Sequence, residues 1–173
     1  PEPTSLRPVT ITVKATDPGG MGPVRLHYQT VDPGAYVRLE DPAYEAGWTT
    51  VDMVDDGTNG DAAPSDAIYT AVLPAGLQVH RRLVRFRISA ADATGVSVDV
   101  PYPDDPQPNF AYFVYNGVPA WKGASRPGVT PVLQFSPTVM GMLPVYHLIA
   151  READVINSQY NGAYDNVQFH GTL

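Results

Sequence analysis

Between positions 55 and 66 the chain reads DDGTNGDAAPSD, which places Asp55, Asp56, Asn59, Asp61 and Asp66 within twelve residues. Four carboxylates and one amide oxygen at that density are the donors a hard divalent cation such as Ca2+ takes, in sets of roughly six to eight oxygens at flexible spacing. Asp55, Asn59, Gly60, Asp61 and Asp66 fall at places 1, 5, 6, 7 and 12 of an EF-hand-like register, but Gly57 stands where a third acid is expected and Asp66 is shorter than the usual final Glu. A second reading stands beside the first. Asp and Asn side chains also bond the backbone of their own loop, with Gly57 and Gly60 at positive φ, and so make an Asx-rich turn. Crowded carboxylates without a cation repel one another, which keeps the calcium reading open.

Other residue sets offer weaker chemistry. Arg81, Arg82, Arg85 and Arg87 are four of the eleven basic residues, and the last two share the outward face of one expected strand. Such a face binds an anion or an acidic partner, or more commonly pairs across strands with acids. Tyr36, Tyr44, Trp48, Tyr102 and Trp121 would form a stacking platform for a glycan if they lay in one plane, whereas aromatics of β-sandwiches more often fill the core or cover edges. The histidines His27, His80, His147 and His170 show no metal-ligand spacing. Around Ser125, GASRPG misses the nucleophile elbow by one residue, and a serine hydrolase is not expected.

The elements that would position these groups are strands. Val9, Ile11, Val13 and Ala15 alternate with polar residues, and Val24, Leu26 and Tyr28 do the same after a turn at Asp17-Pro18-Gly19-Gly20. Trp48 to Val54 and Ile68 to Leu73 read as further strands on either side of the acidic loop. Residues 82 to 90 alternate most clearly, Val96 to Val100 return the chain, and Phe110 to Tyr115 follow a proline cluster at 101 to 108. About seven strands with regular turn signals predict an all-β fold, an antiparallel β-sandwich, over residues 1–116. Residues 117–141 are rich in Pro, Gly and Ser and read as a linker. Residues 142–173 then offer a strand-like run from Leu143 to Ile149, a helix from Arg151 to Tyr160 and a strand start at Val167 to Phe169, a short α+β extension. It has too little apolar surface for its own core and should pack on the sandwich or on another chain.

Two stretches carry a resemblance. WTTVDMVDDGTNGDAAPSDAIYTAVLPAG, followed by VRFRISAADATG and FAYFVYN, resembles the Ig-like or fibronectin-III-like module of exported bacterial proteins, in which a DDG-x-x-GD-x-x-x-GD-x-IYT loop joins two strands; it covers about residues 8 to 116. Ser65 and Ala67 depart from that pattern, standing where glycines are commoner. MLPVYHLIAREADVINSQYNGAYDN, at 142 to 166, is similar to the opening of a spore-coat CotH-type kinase-like domain. The resemblance implies a parent protein at the cell surface or beyond it, with an atypical kinase domain adjacent to this module. The nucleotide-binding and catalytic residues of that family would lie after Leu173, and no P-loop pattern occurs within the chain, so these 173 residues are expected to be catalytically silent.

Composition narrows the classes further. Eighteen acids against eleven bases give a net charge of -7, which disfavours nucleic acid as a partner. The absence of cysteine excludes disulfides, thiolate catalysis and Cys-ligated zinc. No apolar run reaches the roughly 18 residues needed to span a membrane. The opening PEPTSLRP lacks the basic and apolar parts of a signal peptide, so the chain is read as a processed piece. The expected function is spacing or presenting a neighbouring domain, with Ca2+ in the 55–66 loop. The alternative is a module that binds a glycan or a surface protein.

Overall fold

The computed structural model describes residues 2–160, 171 and 172. Seven strands occupy the first two thirds of the chain: β1 (Val9–Lys14), β2 (Met21–Val31), β3 (Thr49–Met53), β4 (Ile68–Leu73), β5 (Leu83–Asp92), β6 (Ser97–Val100) and β7 (Phe110–Phe113). The antiparallel pair β1–β4 forms one sheet. The other runs β3-β2-β5, and the far edge of β5 is shared by β6 along its second half and β7 along its first. All pairings are antiparallel, so the all-β sandwich expected from the alternation is the fold observed.

Period two sorts each strand onto two faces. In β2 and β5 the cross-strand pairs Val24–Ala90, Leu26–Ile88 and Tyr28–Phe86 face inward, toward Leu73 and Ala71 of β4 and Ile11 of β1. Leu26 and Val84 are fully buried, and each such side chain contributes about 2 kcal/mol of apolar burial. The alternate pairs Arg25–Ser89, His27–Arg87 and Gln29–Arg85 face outward.

The Gln29–Arg85 end of that face is covered. Residues 32–48 fold back over it and carry a one-turn helix, α1 (Pro42–Ala46), whose Tyr44 is buried against the sheet. Pro42 suits the first helical turn, where its missing N–H is no loss. Gly47 lets the end of α1 lie on β2, because a Cβ there would come within 2.5 Å of Gln29 Nε2 and 2.7 Å of the Ala43 carbonyl oxygen.

The expected linker contains small elements of its own: a pairing of β8 (Trp121–Gly123) with β9 (Leu133–Phe135), and a one-turn helix α2 (Pro137–Met140) capped by Ser136. Of the run Leu143–Ile149 only its end becomes a strand, β10 (Ile149–Ala150), paired with β11 (Gly171–Thr172). The helix α3 (Glu152–Tyr160) forms where expected. The strand start at 167–169 and His170 lie outside the described residues. The extension does pack on the sandwich: the Glu152 N–H donates to the Gly34 carbonyl at 2.9 Å, and His147 packs between Phe113 and Tyr115, 4.7 and 4.3 Å away between ring centroids. Among the described residues no helix is long and apolar enough to cross a membrane.

Candidate functional site

The acidic loop leaves β3 and re-enters the sandwich at β4, its ends held by the Val54–Thr70 bridge. Gly57 and Gly60 take φ of +74° and +93°, as the turn reading requires. Asn59, Ser65 and Ala67 are also left-handed, at +50°, +61° and +66°. The two residues that stand where glycines are commoner therefore adopt the glycine conformation, at a cost of roughly 1–2 kcal/mol for each residue with a Cβ.

Oxygens of Asp55, Asp61 and Asp66 lie within 4.8 Å of one another. Asp56 does not join them. Asp56 Oδ1 accepts from the hydroxyl and the N–H of Thr58, and those bonds hold its carboxyl below the usual range. The Asn59 amide donates to Thr58 Oγ1. The three convergent carboxylates are themselves bonded to the protein. Asp55 accepts from the N–H groups of Asp66 and Ala67. Asp61, which is buried, accepts from Gly57 N–H at 2.7 Å and the Thr70 hydroxyl at 3.2 Å. Asp66 accepts from Ile68 N–H. Each carboxylate oxygen keeps acceptor capacity beyond one bond, so the arrangement is an Asx-rich turn whose three acids could share one cation.

The arginines are placed differently from the sequence expectation. Arg85 does not face solvent: it is only 4% exposed, beneath residues 32–48. Its Nη1 donates to Gln29 Oε1 at 3.2 Å, and its guanidinium lies 5.2 and 5.5 Å from the ring centroids of Tyr36 and Tyr44. No carboxylate lies within 4 Å of it among the described residues, so the expected cross-strand acid pairing fails here. Arg87 rests over Trp48 at 4.3 Å and reaches Glu45 at 4.0 Å. Arg82 bonds Asp32 at 2.7 Å and the Leu77 carbonyl at 2.9 Å, while Arg81 borders a recess with Phe113 and Leu148.

Of the five aromatics, Tyr36, Tyr44 and Trp48 gather over β2 and β5, whereas Tyr102 and Trp121 are exposed and outside that group. The three form a cover rather than a flat platform: Tyr44 is buried and meets Trp48 edge-on. Burial pushes the Tyr44 phenol up, and its hydroxyl donates to Asn109 Oδ1 at 2.9 Å. His27 bridges Thr50 and Ser89, and burial, then the charge of Arg87, lowers its pKa. Ser125 bonds Thr130 within an exposed turn.

Gln29 and Asn109 were not among the residues the sequence singled out. For Gln29 the signal was available, since a polar residue at the alternate position of β2 opposite Arg85 must share its environment. In comparisons with known proteins, no family model matches the chain and no curated protein matches it.

Proposed function

We propose that the chain is a non-catalytic β-sandwich module of an exported bacterial protein, acting outside the cell to space or present an adjacent domain of the CotH-type kinase-like kind. One observation carries this reading. The sandwich has its own core around Leu26, Leu73, Val84 and Val114, and beyond it Trp121, Phe135, Val139, Met142 and Leu143 line an open and almost wholly apolar hollow, with Met142 80% exposed. Apolar groups concentrated in one exposed place mark a surface that another body covers. The elements that bear them follow the sandwich directly, and the segment after them ties back to it through Glu152 on Gly34 and His147 on Phe113. The convergence of Asp55, Asp61 and Asp66 supports calcium as a stiffener of the same module, because a cation would offset their mutual repulsion and add stability by mass action.

The test is hydrogen exchange on the 173-residue chain and on the protein expressed from its whole gene. Slower exchange over residues 121–123 and 133–143 in the longer protein is the expected result. Equal rates in both, or a gene that encodes nothing to cover this face, would sink the proposal.

A further inference from the structure

Beside the buried Arg85 the surface opens into a recess of about 470 Å³ between the covering segment 32–48 and the proline-rich approach to β7. Its lining includes Tyr36, Leu39, Arg85, Gln107, Asn109 and Phe110. This volume lies within the usual range for small-ligand sites, which combine apolar walls with a few placed polar groups.

The guanidinium in its wall is unusual. A buried charge is expected to be paired or fully hydrogen-bonded, since desolvating it is costly. Here Gln29 Oε1 is the single hydrogen-bond acceptor of the Arg85 side chain among the described residues, which leaves most of its five N–H donors to aromatic faces or to the recess. Tyr44 does not serve as a counter-ion: its hydroxyl is a donor, spent on Asn109, and burial keeps it protonated. Asp41 is taken up by Arg38 through three bonds and by Arg151 at 3.8 Å. A guanidinium fork donates in the geometry that a planar anion, a carboxylate, accepts.

We propose that the recess binds a carboxylate-bearing sugar, a uronic acid, with Arg85 as the carboxylate contact. The lining suits a sugar ring better than an acidic peptide. Tyr36 offers aromatic surface to a C–H face. The Gln107 side chain is exposed and makes no hydrogen bond within the described residues, and Asn109 keeps one N–H beyond its bond to the Phe110 carbonyl; both amides can meet hydroxyls. A concave recess of this size takes one ring, whereas an extended peptide needs a groove. This inference goes beyond the spacer reading and does not depend on it.

The experiment is titration of the 173-residue chain with digalacturonate, neutral digalactoside and a Glu-rich peptide, followed by the Arg side-chain Nε–Hε NMR resonances and by calorimetry. Digalacturonate is expected to shift the Arg85 resonance and to bind at least about tenfold more tightly than the digalactoside, the margin of one charge-assisted contact. Arg85→Met should abolish that preference. Gln107→Ala, at an exposed position, should weaken binding about threefold with the fold intact, and it decides the matter together with the Arg85 resonance should Arg85→Met fail to fold. Equal binding of the neutral sugar, an unmoved Arg85 resonance, or binding of the Glu-rich peptide alone would overturn the proposal.

Discussion

The acidic loop and the Arg85 wall handle charge in opposite ways. In the loop, charges of one sign are crowded near the surface, and nearly every carboxylate oxygen accepts from the loop's own backbone or from a nearby hydroxyl. Beside β5, a single opposite charge is buried, and the described residues answer it with one amide oxygen and two aromatic rings. Density of charge is conspicuous in a sequence, yet a dense cluster can satisfy itself locally through Asx bonding. A buried charge without an acid is inconspicuous in a sequence and leaves more binding capacity unspent. The contrast teaches that the second region is the better place to look for a ligand, and the first the better place to look for stability.

Three substitutions sharpen or break that contrast. The largest effect is expected from Gln29→Leu, which removes the one acceptor of the Arg85 side chain among the described residues and also two donors to the Ala43 and Tyr44 carbonyls. Leaving a buried charge without its partner costs on the order of 3 kcal/mol, read as a lowered urea midpoint. A loss below about 1 kcal/mol would mean that the aromatic rings alone hold the guanidinium.

Next comes Asp61→Ala, which strands the Gly57 N–H and the buried Thr70 hydroxyl. A cost of about 2 kcal/mol is expected from two unmet donors, less the repulsion relieved. The same thermal melts, run in EDTA and then in millimolar calcium, should show a calcium-dependent rise for the unsubstituted chain that the variant loses. No rise in either would leave the loop a turn and remove calcium from the proposed function.

The smallest effect, and the only stabilising one, is expected from Ala67→Gly. At φ +66° alanine is strained while glycine is not. Its N–H bond to Asp55 can be kept, and the net gain should be about 0.5–1 kcal/mol after the added chain entropy of glycine in the unfolded state. A loss instead would show that the Ala67 methyl packs usefully and that the loop is less strained than its dihedral angles imply.

Much of the fold was legible because its signals are local. Alternation in Val9–Lys14 and Leu83–Asp92, and turn residues such as Asp17-Pro18-Gly19-Gly20, act over a few residues and place strands without reference to the rest of the chain. The left-handed glycines of the acidic loop were legible for the same reason. The hairpin of Trp121–Gly123 with Leu133–Phe135 was not, because three-residue strands are too short to display a period. Asp56 counted as a ligand candidate by spacing alone, and loop geometry turned it toward Thr58.

The sequence by itself determined which residues of β2 and β5 share a face, since a period of two leaves no choice. It could not decide whether the outward face meets water. That depended on residues 32–48 folding back over the sheet, with Gly47 allowing the close approach to Gln29. Burial is a sum over contacts distant in sequence, and only the tertiary structure supplied that sum, turning Arg85 from an expected surface charge into the buried cation beside the recess.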